Sequence, residues 1–104
     1  LDIESDMQSQ NQAYLINFTA AWCITCQTNE KTALAREKVK EYLAEENITY
    51  VKADWTNRNE EIAIGLAKYE RTGIPLYIFW KPGMRGSKIL PAVLTEDSLI
   101  KSMQ

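Results

Sequence analysis

The stretch NFTAAWCITCQTNEK, residues 17–31, carries both cysteines of the chain, Cys23 and Cys26, separated by two residues. Two thiols at this spacing can form a structural staple, supply half of a metal site, or work as a redox couple. A staple is poorly served here. The chain-entropy argument gives so short a ring only about 2 kcal/mol, against about 3 kcal/mol for a loop of roughly fifteen residues. A metal site asks for three or four ligands, and the chain offers no histidine and no third cysteine. Linear Cu(I) coordination by the two thiolates stays open. The redox couple fits the context best, because Cys-x-x-Cys beside a β–α–β pattern is a specific signal. The lack of histidine also removes Cys–His and Ser–His nucleophilic catalysis.

The elements that must position these thiols follow from the hydrophobic pattern. Residues 1–12 are polar, with Ile3 and Met7 four apart, and are expected to be a leading segment or short helix. AYLINFT, 13–19, is β-branched and aromatic and reads as a buried strand. The period then changes, and Cys26, Glu30, Ala33, Leu34, Val39, Tyr42 and Leu43 suit a helical region over about 24–46. ITYVKAD, 48–54, is a second strand. Asn57 or Asn59 can cap the next helix, with Ile62, Leu66 and Tyr69 inward and Gly73 at its end. PLYIFWK, 75–81, is a third strand, and PGMRG a turn into a short fourth, SKILP, 87–91. Thr95 caps a final helix whose buried stripe is Leu99, Ile100 and Met103. The expected fold class is α/β: a small mixed four-stranded sheet flanked by helices. Strands one and two are parallel through a right-handed crossover, and three and four antiparallel. Residues 1–104 read as one domain.

Cys23 falls between a strand and the helix after it, where ligand and active sites of open α/β sheets lie. At a helix N-terminus free N–H groups and the macrodipole favour an anion, and a thiolate pKa there drops to roughly 3.5–7.5. Cys26, one turn further in, is more shielded. Cys23 is therefore the expected nucleophile and Cys26 the resolving thiol. Glu30 lies on the same helical face, four residues after Cys26. It is either a proton acceptor for Cys26 through a water or a solvated carboxylate like Glu37 and Glu41. Trp22 is expected to cover the site. Trp55, just past strand two, is placed at a partner-binding rim or in the core, and Trp80 in the core.

Composition sets outer bounds. The chain has 104 residues, 45% hydrophobic and 25% charged, with formal net charge −2, so a nucleic-acid footprint is not expected. Its longest apolar run, IPLYIFW at 74–80, is far short of the roughly 18 residues of a membrane span. No secretory signal is visible, and Leu1 is not a natural start, so the sequence is expected to be a domain excised from a longer membrane protein.

Trp-Cys-x-x-Cys at 22–26, followed by Gly73-Ile74-Pro75 at the head of another strand, resembles the thioredoxin superfamily. NFTAAWCITCQTNEK, KADWTNRNEEI and TGIPLYIFW, in that order, are similar to the C-terminal thioredoxin-like domain of bacterial transmembrane thiol:disulfide interchange proteins of the DsbD and ScsB type. The likeness covers about 13–101. It implies a thioredoxin-like fold and a protein-disulfide reductase with no cofactor beyond the redox-active Cys23–Cys26 disulfide. It implies a periplasmic domain of an inner-membrane protein, monomeric as a domain, in electron transport of the kind that serves cytochrome c biogenesis. Electrons would come from a membrane-embedded dithiol domain of the same polypeptide and pass to a periplasmic thiol–disulfide partner.

The resemblance also assigns expected roles. Pro75 would be cis and pack against the disulfide, with the Ile74 backbone free to pair with an extended partner segment; the plainer reading is a strand-initiating proline. Glu30 matches a glutamate of the resembling domains. Asn17 departs from the pattern, since thioredoxins and the better-known interchange domains carry a buried aspartate there. Lys52 matches a lysine that faces that acid, so here it either reaches Glu30 or snorkels to solvent. Ile24 and Thr25 replace the Gly-Pro of thioredoxin. Similar domains break the long helix between the matches to Thr32 and Glu37, so an interruption is expected there. The reductase direction rests on the resemblance, because Cys-x-x-Cys proteins span roughly 150 mV. Two other readings of this fold are a free-standing thioredoxin-like reductase and a thiol copper carrier or binding module.

Overall fold

The computed structural model describes residues 3–104; the expectation attached to Leu1 lies outside them. The apolar, β-branched run after the leading segment forms the central strand β1 (Tyr14–Thr19), buried along its whole length. Both of its faces are covered, which is why its apolar residues fall on consecutive rather than alternate positions, with Asn17 and Thr19 buried among them. It pairs with β2 (Thr49–Asp54) in parallel and with β3 (Leu76–Trp80) antiparallel, and β4 (Lys88–Ile89) pairs antiparallel with β3. The sheet order is β2-β1-β3-β4. The expected mixed sheet is therefore present, although its fourth strand is two residues long rather than five.

The pleat sends alternate β1 residues to opposite faces. Leu15 joins Leu34, Val39, Leu43, Tyr77, Phe79, Leu99 and Met103 in one cluster. That cluster is covered by Ala33 and Leu34, which follow α2 (Ile24–Asn29), and by α3 (Glu37–Glu45) and α5 (Glu96–Met103). Tyr14, Ile16 and Phe18 join Trp55, Leu66, Leu76, Ile78 and Trp80 in the other. There α4 (Glu60–Ala67) and Met7 of α1 (Ile3–Ser9) supply the cover. Trp80 is core, stacked on Tyr14 with centroids 5.9 Å apart.

The long helical region is broken, and the break falls where it is expected. After α2 the chain makes one π turn, Glu30–Leu34, with Ala35 N–H donating to the Glu30 carbonyl at 2.7 Å. Arg36 then goes extended (ψ 140°) as the N-cap of α3. Inserted π turns of this kind collect at functional sites.

Three helix ends were not foreseen in detail. Asn11, Asn47 and Glu70 adopt left-handed φ values of 55°, 53° and 58°. The following N–H groups of Gln12, Ile48 and Arg71 reach back to Met7, Leu43 and Leu66 at 2.9, 2.8 and 3.0 Å. This is the Schellman arrangement, which satisfies carbonyls the helix leaves open. It corrects the reading of Gly73 as the end of α4: the helix stops at Ala67, and Glu70 takes the role a glycine usually fills. Asn59, not Asn57, is the N-cap of α4, without a side-chain bond. At α5 the sequence signal holds, and Thr95 and Ser98 form a reciprocal capping box.

Candidate functional site

The turn after β1 delivers Cys23 to the N-cap of α2, with extended backbone (φ −92°, ψ 105°) and its sulfur accepting from Cys26 N–H at 3.2 Å. Gln27 Nε2 clamps the same corner by donating to the Ala20 carbonyl at 2.9 Å. Cys23 and Cys26 are joined as a disulfide with Cα atoms 5.2 Å apart. Cys26 is wholly buried and Cys23 is 8% exposed, so the first cysteine is the one nearer solvent. Ile24 and Thr25 between them face outward, Ile24 being 83% exposed. The Ile74–Pro75 bond is cis, and Ile74 packs against the buried trio of Ala20, Cys23 and Cys26.

Next to the disulfide along β1 lies a row of polar groups. Asn17 has Lys52 and Tyr77 as its register neighbours on either side. Asn17 is fully buried, and its Nδ2 donates to the Tyr50 hydroxyl at 2.8 Å. Burial pushes the Tyr50 phenol up, partly offset by that donation. Among the described residues, Asn17 Oδ1 and Thr19 Oγ1 have no protein partner although both are buried.

Of the two readings of Lys52, the structure takes the first. Its ammonium lies 3.0 Å from Glu30 Oε1, with the lysine side chain 52% and the glutamate 19% exposed. The hydrogen bond to Glu30 holds the Lys52 pKa above its ordinary value. Glu30 begins the π turn, and its own N–H donates to the Cys26 carbonyl.

Asn29 was not anticipated. It is 1% exposed and makes three hydrogen bonds. Nδ2 donates to the Tyr77 hydroxyl at 2.8 Å and to the Ala92 carbonyl at 2.7 Å, and Oδ1 accepts from Leu94 N–H at 3.0 Å. Tyr77, fully buried, is pushed up to about 12 chiefly by burial. The sequence held one signal for this clip: a polar residue three after Cys26, on the inward side of the helix.

The third wall is aromatic. Trp22 is 45% exposed, and its indole N–H donates to the Thr56 carbonyl at 2.9 Å. Trp55 is 7% exposed and belongs to the core cluster under α4, with its ring 6.1 Å from that of Trp22. It therefore backs the rim rather than standing on it. Arg58, which the sequence reading passed over, sits on the Trp22 ring at 4.3 Å.

Comparison with known proteins agrees with this arrangement. The DsbD thiol:disulfide interchange protein of Yersinia pestis is 32% identical over 88 residues, which is 85% of this chain but 14% of that protein. The chain thus spans a small part of such relatives. The C-terminal domain of Neisseria meningitidis DsbD in its reduced form superposes with a TM-score of 0.72 at 20% identity, covering 97% of this chain and 87% of that one. The oxidised form gives 0.73 at 20%, covering 96% and 85%. At that identity the likeness speaks for the fold alone. A family profile described as Thioredoxin-like matches residues 5–82, a span that takes in the disulfide, the Glu30–Lys52 pair and the cis proline, and by that match the chain belongs to the thioredoxin-like family.

Proposed function

We propose that this chain is a protein-disulfide oxidoreductase domain that works by thiol–disulfide exchange through Cys23 and Cys26. The observation that carries the reading is the pair itself: a disulfide at the β1–α2 junction, with Cys23 at the helix start and Cys26 buried behind it. In the reduced form the Cys23 thiolate attacks one sulfur of a partner disulfide. A Cys23–partner S–S bond forms, the partner's own S–S bond breaks, and its other sulfur leaves as a thiolate and takes a proton. Cys26 then gives up its proton and attacks Cys23 Sγ. The Cys23–Cys26 bond closes and the second partner sulfur departs, so two electrons have passed to the partner. Glu30, one turn beyond Cys26, is the candidate acceptor of the Cys26 proton, held in place by Lys52.

In this proposal a membrane-embedded dithiol domain of the same polypeptide reduces the couple again, and the chain faces the periplasm as part of an inner-membrane protein. Support comes from the relatives named thiol:disulfide interchange protein DsbD, of which this chain matches a small part. No helix among the described residues is long and apolar enough to cross a membrane. A copper carrier would have to bind through the two thiols alone, because no group of three or more candidate ligands occurs among the described residues.

Alkylation and trapping test the roles. In the reduced protein Cys23 is expected to alkylate faster than Cys26 near neutral pH, and the protein to reduce insulin. Cys26→Ser is expected to accumulate a mixed disulfide with a disulfide substrate and Cys23→Ser none. Equal alkylation with trapping by both variants would overturn the assignment, and tight Cu(I) binding without insulin reduction would favour the carrier.

A further inference from the structure

We propose that Arg58 is a specificity-determining residue of the exchange site, recognising a carboxylate next to the partner's disulfide; the inference rests on the oxidoreductase reading above. Its place is the first reason. The guanidinium carbon lies 4.3 Å from the centroid of the Trp22 ring and 5.2 Å from that of Trp55. Trp22 immediately precedes Cys23, so the cation rests on the exposed ring of the residue next to the nucleophile.

The second reason is that Arg58 is held there. Its backbone is left-handed at φ 50°, and its N–H donates to the Trp55 carbonyl at 2.9 Å. The loop that carries it is fastened to the cysteine turn. Ala21 N–H donates to Thr56 Oγ1 and the Trp22 indole to the Thr56 carbonyl, both at 2.9 Å. Trp55 N–H donates to the Thr19 carbonyl at 2.7 Å, and the Trp55 indole to the Asn59 carbonyl at 3.1 Å. These ties fix the backbone that carries Arg58 beside the cysteine turn, and the two tryptophan rings hold its guanidinium.

The third reason is what the guanidinium leaves unused. Arg36 pairs with Glu96 and Lys52 with Glu30. Among the described residues nothing hydrogen-bonds or pairs with the Arg58 side chain. A cation–π contact with a tryptophan ring spends none of the guanidinium's strong donor bonds, and its N–H fork matches a carboxylate bidentately. Asp54, the acid nearest in sequence on the disulfide side, is already bonded to the Thr56 N–H and hydroxyl. Glu60 and Glu61 open α4 close by, so this is not a broad basic patch. The fit is to a single carboxylate reached by the fork.

The test uses three disulfide-bridged synthetic peptides that differ only beside one cysteine, with Glu, Gln or Lys there. Each is reduced by the parent protein and by Arg58→Gln and Arg58→Lys at low ionic strength. Each rate is divided by the same peptide's rate with dithiothreitol, which removes the flank's effect on intrinsic reactivity. The parent is expected to prefer the Glu peptide over the Gln peptide by about fivefold, the upper end for one exposed ion pair. Arg58→Gln is expected to abolish the preference, and Arg58→Lys to keep part of it as a point charge without the fork. Equal normalised rates in the parent, or a preference that survives Arg58→Gln, would overturn the inference. Exchange with none of the peptides would sink the oxidoreductase reading, and this inference with it.

Discussion

Asn29 offers the most direct test of how the site is held together. Removing its side chain by Asn29→Ala strands three partners. The Ala92 carbonyl belongs to an exposed residue and can turn to water, but Leu94 is 2% exposed and Tyr77 is fully buried. The Leu94 N–H and the Tyr77 hydroxyl thus lose their partners inside the fold. At about 1–3 kcal/mol for each orphaned buried group, the expected loss is about 3 kcal/mol once some relief by entering water is allowed. Against a total of about 5–15 kcal/mol for a domain of this size, that is a large fraction. Urea unfolding of the disulfide form measures it, with the midpoint falling at unchanged m-value. Asn29→Asp sharpens the test. It keeps an acceptor for Leu94 N–H but turns a buried charge on the Ala92 carbonyl, so burial raises its folded carboxyl pKa above the unfolded value. The unfolded chain then releases its proton first, and the variant loses stability relative to the parent as pH rises from about 4. A loss below about 1 kcal/mol for Asn29→Ala, or a flat pH dependence for Asn29→Asp, would refute a structural role for the buried clip.

The remaining expectations concern proton handling and helix ends. Glu30→Gln should slow disulfide exchange by about 10²-fold near neutral pH if Glu30 takes the Cys26 proton. A parent-like rate across the pH range, measured by stopped-flow reduction of a peptide disulfide, would make Glu30 a structural partner of Lys52 only. Lys52 has its folded pKa raised by Glu30, so its contribution is full below the ordinary lysine range and fades as pH rises through the folded value. The stability difference between parent and Lys52→Met should therefore be level from neutral to about pH 10 and shrink beyond it. Glu70→Gly should stabilise by about 0.5–1 kcal/mol, read as a higher melting temperature, because a left-handed φ of 58° suits glycine.

The four strands and two of their pairings were readable from sequence, whereas the sheet order, with β1 between β2 and β3, came only with the structure. β1 and β3 lie inside the sheet and are buried throughout, β1 carrying Asn17 and Thr19 among its apolar residues, and the Cys-x-x-Cys turn marks the strand-to-helix junction. Helix ends were read less well. Glycine was taken as the terminator, yet asparagine and glutamate fill the left-handed positions at 11, 47 and 70. Asparagine tolerates that region through its short polar side chain; nothing in the residue type distinguishes Glu70, whose conformation goes with the Arg71 N–H bond to the Leu66 carbonyl. The π turn at 30–34 was out of reach of periodicity, since Cys26, Glu30, Ala33 and Leu34 keep a helical spacing across it.

The site shows the same division. Cys23, Cys26, Ile74 and Pro75 are legible from spacing and resemblance, whereas Asn29, Tyr50 and Arg58 act through contacts between segments far apart in sequence. Asn17 shows why such contacts matter. From sequence alone it is a missing acid. In the fold its amide donates to Tyr50, and its register neighbour Lys52 turns to Glu30 on the π turn. A carboxylate at position 17 would be fully buried, where desolvation opposes its charge. The carboxylate at position 30 is partly open to water and already faced by a cation. Lys52, which Asn17 gives no charge to meet, pairs instead with Glu30, so the ion pair beside β1 is anchored on the π turn.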